Sequence, residues 1–225
     1  MHETASQPRH LVILGHPAPG SFNHAVARAY ADTVAECGHD CIIRDLYALG
    51  FDPLLKASER PGSDYVASPD LQPELEYVTD ADIVTMVYPI WFGMPPAIVK
   101  GYVDRVLGAG FSARNIKDAT ANPFLAGKRM VLFSSSATTR PWLEEKGQWS
   151  ALTQAFDNYL TDIFTLAGTE HVHFDAIVPA LSGRFVNEAL ARVREKAYAI
   201  AAEASRARHA KFTRAVVAAR MGKRD

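Results

Sequence analysis

The sequence predicts a doubly wound α/β domain, a five-stranded parallel sheet with helices on both faces. Three observations carry this expectation. Short apolar runs recur along the 225 residues, each bounded by Gly, Pro or polar residues, as strands buried on both faces require. Segments with helical spacing stand between these runs. The first run also passes through a loop of Pro and Gly directly into a helix start.

That first run is Leu11-Val12-Ile13-Leu14, closed by Gly15. The loop His16-Pro17-Ala18-Pro19-Gly20 cannot be helical, and Ser21 then opens a helix with Phe22, Val26, Ala29, Tyr30, Thr33 and Val34 along it. Cys37 should end this helix, and residues 40–46 (DCIIRDL) form the second strand. Residues 47–73 are rich in Pro, Ser, Asp and Gly. They are too long for an ordinary connection and read as a functional loop with a helical turn or two. Within it, Asp52-Pro53-Leu54-Leu55 is expected to pack on the first helix. Residues 74–80 are helical and 82–88 (DIVTMVY) are the third strand. Pro95 and Pro96 stand where a helix start tolerates proline, and a helix runs from Ala97 to about Leu107, ended by Gly108 and Gly110.

A second long loop carries Phe111, Asn115 and Asn122-Pro123. Residues 128–134 (KRMVLFS) are the fourth strand, 135–147 a loop, and 149–166 a helix with Leu152, Phe156, Tyr159, Leu160, Ile163 and Phe164 near a 3.6 period. Gly168 is its expected C-cap. The fifth strand lies within 170–178, and the last long helix runs from Phe185 to about Arg208. Residues 1–205 then form one domain. Residues 206–225 are a basic helix or tail with Phe212, Val216, Val217 and Met221 at helical spacing.

Composition narrows the function. A net charge of −1 argues against a nucleic-acid partner. Hydrophobic content of 48% with mean hydropathy near zero describes a soluble globular core. No apolar stretch approaches the roughly 20 residues that span a bilayer, so no integral membrane segment is expected. The N-terminus MHETASQPRH lacks an apolar signal core, which points to a cytoplasmic protein. Cys37 and Cys41 read as a free, buried thiol pair in a reducing compartment. No second Cys/His pair stands at zinc spacing, so no metal is expected, and His171 and His173 read as one face of a strand rather than a ligand pair.

Three loops share one sheet edge and carry the chemistry. Ser21 is either an ordinary N-cap or part of a phosphate site at the positive end of a helix. Neither GxxxxGK[ST] nor GxGxxG is present, so a nucleotide there would be held by main chain, Ser21, Asn23 and His16. The loop Tyr88-Pro89-Ile90-Trp91-Phe92-Gly93 is either a packing plug or a rigid, aromatic edge suited to a flat heterocycle. Ser134-Ser135-Ser136-Ala137-Thr138-Thr139 is either a polar turn or a donor-rich loop that lets backbone approach a ligand.

The segments GHPAPGSFN and YPIWFGMPPAIVKGYVDRVLGAGFSA, followed by the Ser/Thr loop, resemble the flavodoxin-like NAD(P)H:quinone oxidoreductases over roughly residues 10–200. That family includes the mammalian quinone reductases and the bacterial ancillary flavoproteins of potassium efflux systems. The resemblance implies strand order 2-1-3-4-5 with a ligand at the carboxyl ends of strands one and three. It implies that His16, Ser21, Phe22 and Asn23 hold the flavin phosphate and that Pro89, Ile90, Trp91 and Phe92 line the isoalloxazine. Ser135, Ser136, Ala137 and Thr138 would donate to its N1/O2 edge. Lys100, Asp104 and Arg105 fall in a helix with a structural or dimer-forming role.

The resemblance further implies FMN, with FAD as the alternative, NAD(P)H as donor, a quinone or similar acceptor, ping-pong turnover and a homodimer covering Trp91, Phe111 and the helix 97–107. The mammalian enzymes carry a Tyr and a His after the fourth strand. Here that region reads ATTRPWLEEKGQW, and Trp142 and Gln148 are the nearest candidates for contact with substrate. Another class of function remains at this point: a regulatory flavodoxin-like subunit that senses nucleotide and docks on a membrane transporter through its basic tail. A Rossmann dehydrogenase and a serine hydrolase are disfavoured, the first by the missing GxGxxG and the second by the missing GxSxG.

Overall fold

The computed structural model describes residues 7–62 and 64–221, without the side chains of 211 and 214–221. Five strands, β1 (Arg9–Leu14), β2 (Asp40–Asp45), β3 (Ile83–Pro89), β4 (Arg129–Ser135) and β5 (Gly168–Phe174), pair in parallel in the order β2-β1-β3-β4-β5. This is the doubly wound arrangement expected from the alternation of apolar runs and helices.

Alternate strand residues face two cores. Leu11, Ile13, Met86, Tyr88 and Leu132 pack against α2 (Gln72–Asp80), α3 (Ala97–Tyr102) with its π-helical continuation Val103–Leu107, and the run made by α6 (Gln148–Leu152), a π-helical turn (Thr153–Asn158) and α7 (Tyr159–Ile163). Val12, Leu14, Val87, Val131 and Phe133 pack against α1 (Phe22–Glu36) and α8 (Gly183–Met221). Burial on both faces is why the strands read as unbroken apolar runs rather than alternating ones.

Several boundaries differ from the sequence reading. The stretch 135–147 holds a helix, α5 (Arg140–Glu145), whose Pro141 sits in the first turn, where a missing N–H costs nothing. The loop after Gly110 holds α4 (Ala113–Lys117), capped by Ser112 and Asn115. Both helices are too short to show a period. The helix before β5 ends at Ile163, and Thr165, at φ 51°, makes the left-handed turn expected of Gly168, which instead opens β5. β5 stops at Phe174, because Ala176 at φ 54° turns the chain back over β4. The last helix does not stop near Arg208 but continues to Met221; the side chains of Val216, Val217 and Met221 lie outside the described residues. Cys37 caps α1 and is exposed rather than buried, while Cys41 is half-buried; both are free thiols.

The segment 52–55 packs on α3 and not on α1, which lies across the sheet. Gly101 lets Pro53 approach so closely that a Cβ would collide with its ring and backbone. Arg105, fully buried, ties the same loop down at several points. Its Nε and Nη2 donate to Glu59 at 2.8 and 2.6 Å, its Nη1 to Asp52 O at 2.5 Å, and its Nη2 pairs with Asp70 at 3.0 Å. Arg105 is therefore structural, as expected, while Lys100 and Asp104 form an exposed ion pair one turn apart.

The hydrogen bonds from Arg105 hold the Glu59 carboxyl down to about 2 from its ordinary 4.5. A depressed carboxylate stabilises fully above its unfolded pKa, and that contribution is lost as pH falls through the folded value. Removing one partner of a buried pair costs about 3–5 kcal/mol. Glu59→Gln should therefore lower urea-unfolding stability at pH 7 by about 3 kcal/mol, with the gap to the parent protein closing between pH 4.5 and about 2. Equal stabilities at pH 7 would contradict this.

Candidate functional site at the carboxyl edge of the sheet

Ladder hydrogen bonds continue past the strand ends and draw three loops together. Gly15 N–H donates to Val87 O at 3.0 Å, Ile90 N–H to Ser135 O at 2.6 Å, and Ser136 N–H to Phe174 O at 3.0 Å. Side chains add a clasp: Asn23 Nδ2 donates to Ser135 Oγ at 3.0 Å, and Ser135 Oγ lies 3.3 Å from Asn23 Oδ1. The loops after β1, β3 and β4 thus meet, as the sequence predicts.

Within the first loop, Ser21 is the N-cap of α1, its Oγ 3.4 Å from the His24 N–H it accepts. His24 was not singled out from the sequence. Its Nδ1 lies 2.8 Å from Ser21 Oγ and its Nε2 3.0 Å from Asp45 Oδ2, so the imidazole orients the cap hydroxyl. The Asn23 side chain is committed to Ser135, and the Phe22 ring packs on Phe174 at 5.4 Å. Both residues therefore present main chain at the helix start, where the first N–H groups have no intrahelical acceptor. His16 Nδ1 accepts the Ala18 N–H at 3.1 Å, and its ring stands 5.9 Å from Trp91. Burial pushes the His16 pKa down, so the ring is neutral at pH 7.

The aromatic loop is a tight turn. Trp91 and Met94 exchange backbone hydrogen bonds at 3.0 and 3.1 Å, with Phe92 at φ 51° and Gly93 at φ 82°. A two-residue turn with both φ positive suits Gly at its second position, and Phe at its first is costly. The outcome is a Phe92 ring wholly in solvent and Trp91 at 41% exposure, whereas Pro89 and Ile90 are buried. Gln148 Oε1 lies against Gly93 so closely that a Cβ there would collide with it, which brings Gln148 to the site. Trp142 sits exposed on α5. Phe111 is buried in its own chain against Phe164 and leaves no surface for a partner.

In the third loop Ser136 Oγ donates to Thr138 O at 2.7 Å. Because Ser135 and Ser136 are buried and engaged, Ala137 and Thr138 are the exposed part of this loop. Beneath it the structure brings residues of the fourth and fifth strands together with Asp157 and Trp149, which the sequence does not single out. His171 and His173 do share one face of β5, and they meet Ser134, Asp157 and Trp149 there.

A cavity of about 690 Å³ lies at the opposite edge, between the end of α2 and α8. Its charges are internally matched: Lys128 donates to the carbonyls of Val78, Thr79 and Ala81, Arg208 pairs with Asp82, and Arg129 pairs with Glu203. It flanks the amino ends of β3 and β4, whereas ligands of doubly wound sheets bind beyond the carboxyl ends. Among the described residues no helix is long and apolar enough to cross a membrane.

Comparison with known proteins agrees with this architecture. A protein of Haemophilus influenzae named as an uncharacterized NAD(P)H oxidoreductase is 33% identical over 168 residues, 74% of this chain and 81% of that protein. An NAD(P)H:quinone oxidoreductase structure from Methanothermobacter marburgensis superposes with a TM-score of 0.73 at 22% identity, covering 85% of this chain and 98% of that one. An FMN-dependent NADH-azoreductase from Bacillus anthracis, solved with FMN, superposes with a TM-score of 0.62 at 15% identity, covering 87% and 100%. The chain spans little more than half the length of the rodent NAD(P)H dehydrogenase [quinone] 1 relatives that it matches. The family model described as the flavodoxin-like fold matches residues 8–201, and the chain belongs to that family.

Proposed function

We propose that the protein is a flavin-dependent NAD(P)H oxidoreductase that passes two electrons to a quinone or a similar acceptor. The observation that carries this reading is the meeting of an uncharged helix N-terminus, an exposed aromatic turn and a hydroxyl-rich loop at one sheet edge. The names of similar proteins support it, since they are NAD(P)H oxidoreductases and quinone dehydrogenases.

The residues fit a flavin. The first-turn N–H groups of α1 and the Ser21 hydroxyl form an anion site without a cation. Trp91 and Phe92 offer apolar area that is costly to leave wet. The 135–138 loop offers the N–H groups of Ala137 and Thr138 to the negative charge of the reduced ring, as preorganised dipoles do. A bound flavin supplies hydride acceptance and two-electron transfer, chemistry that no side chain provides. FMN is the form we assign over FAD, because the azoreductase of similar fold is seen with FMN. A cytoplasmic setting fits the two free cysteines.

Reconstitution with FMN should give a stoichiometric complex, and failure with both FMN and FAD would sink the reading. Asp caps a helix as well as Ser, so Ser21→Asp should fold. Its carboxylate would oppose a phosphate by about 4 kcal/mol at about 4 Å and an effective dielectric of about 20. Ser21→Asp should weaken FMN binding about a thousandfold, and Ser21→Ala far less; equal losses would place the phosphate elsewhere.

One exposed face beside Trp91 and Phe92 must serve NAD(P)H and acceptor in turn, which gives substituted-enzyme kinetics. Double-reciprocal plots should be parallel, and NAD(P)H alone should bleach the flavin in a stopped-flow. Intersecting plots would show that both substrates bind together.

Trp91, Phe92 and Met94 remain an exposed apolar patch within one chain. We assign the part of it that a flavin leaves uncovered to a twofold homodimer contact at the rim of the site. Sedimentation at micromolar concentration should give a dimer, and a fully active monomer would count against it.

A further inference from the structure

The face of β5 beneath the Ser/Thr loop carries a continuous buried chain of polar groups. Asp157 Oδ2 lies 2.7 Å from His171 Nδ1, and His171 Nε2 lies 2.6 Å from Ser134 Oγ. Ser134 Oγ lies 2.8 Å from His173 Nδ1, His173 Nε2 lies 3.0 Å from Ser136 Oγ, and Ser136 Oγ donates to Thr138 O at 2.7 Å. Asp157, Ser134, Ser136 and His173 are all buried. The Asp–His–Ser portion has the order of a hydrolase triad, but a Ser134 at 1% exposure cannot reach an acyl group.

The hydrogens in this chain can be assigned from its exposed end. Ser136 O–H points to Thr138 O, so Ser136 Oγ receives the Nε2–H of His173. Burial above all, and then neighbouring His171, push the His173 pKa down to about 4 against the pull of Asp175, so the ring is neutral and its Nδ1 is bare. Arg140 from α5 acts in the same direction as His171, and Trp149 from α6 and Tyr88 from β3 close the surroundings of the pair. Bare Nδ1 receives Ser134 O–H, and Ser134 Oγ then receives the Nε2–H of His171. The contact between His171 Nδ1 and Asp157 Oδ2 needs a hydrogen as well. Two neutral imidazoles and two hydroxyls supply one hydrogen too few. The chain is complete only with one further proton, between His171 and Asp157.

We infer that Asp157, His171, Ser134, His173 and Ser136 form a buried one-proton store that opens on the 135–138 loop and supplies the proton consumed in acceptor reduction. The inference rests on the reading of that loop as part of a flavin site. NAD(P)H provides a hydride, which is two electrons and one hydrogen, and a quinone needs a second hydrogen as a proton to become a hydroquinone. To deliver it, the Ser136 hydroxyl turns from Thr138 O to the open side of the loop, gives its proton to the acceptor oxygen and takes the His173 Nε2 proton. His173 Nδ1 takes the Ser134 proton, and Ser134 takes the His171 Nε2 proton. Asp157 ends as a carboxylate facing a neutral His171, the other groups end neutral, Ser136 O–H is turned to His173 instead of Thr138 O, and a proton from solvent reloads the store. His173 changes tautomer but is never charged.

Histidine ¹⁵N spectra of the flavin-free protein at pH 7 test the store. Hydrogen on Nε2 of both His171 and His173 is expected, and a His171 Nε2 without hydrogen would overturn the assignment. On the FMN-loaded protein, Ser134→Ala cuts the chain in its middle. It should slow flavin re-oxidation by benzoquinone at least about tenfold and make that rate fall with rising pH, since a positioned acid contributes about 10²–10⁴. Reduction by NAD(P)H should stay within about twofold of the parent. Unchanged re-oxidation would refute the relay. If no flavin binds, the functional reading falls and the ¹⁵N pattern alone decides whether the store exists.

Discussion

The parallel ladder is the constraint on which the site depends. Its bonds are slanted, so each strand hands its pairing forward to the loop that follows. Ile90 is bonded to Ser135 and Ser136 to Phe174 beyond the ordinary reach of their strands. The loops after β1, β3 and β4 are therefore placed by the sheet and not by their own sequences. The Asn23–Ser135 clasp then fixes the start of α1 against the end of β4.

Around that edge the chain keeps charge away. The candidate site offers N–H groups, hydroxyls and a neutral His16, while the strongest buried charges sit elsewhere. Arg105, Glu59 and Asp70 are gathered behind α3, where they convert a long polar connection into a fixed wall. Arg44 and Glu74 do the same between β2 and α2. An anion at the start of α1 then meets dipoles, with the Asp45 carboxylate engaged by His24 Nε2. This arrangement binds by geometry, and a single added carboxylate is enough to spoil it.

Much of this was legible because burial writes itself into sequence. Runs such as Leu11-Val12-Ile13-Leu14 admit few readings, and Pro17, Pro19 and Gly93 mark turns. The three loops and their meeting were accessible for the same reason. Short helices were not: α4 and α5 are held by Ser112, Asn115 and Asp175, through caps and distant acceptors that no period reveals. The contact partner of segment 52–55 was also hidden, since Gly101 and Arg105 act from across a long separation in sequence. The side-chain partner of Asn23 was hidden too, since Ser135 lies 112 residues away.

The two histidines of β5 show the limit most clearly. His-x-His on a strand says only that two rings share a face. Their chemistry comes from register: Ser134 stands opposite His173, and the same parity of β4 brings Ser136 to the ring's other nitrogen. A shift of one residue would turn both hydroxyls to the α1 face, leaving His173 without its two partners and His171 with Asp157 alone. Asp157 joins from the π-helical turn, whose extra residue alters which side chain faces the sheet. A polar chain of this kind is built from strand register and helix winding together. It becomes visible only when pairing is known, although every residue in it was present to be read.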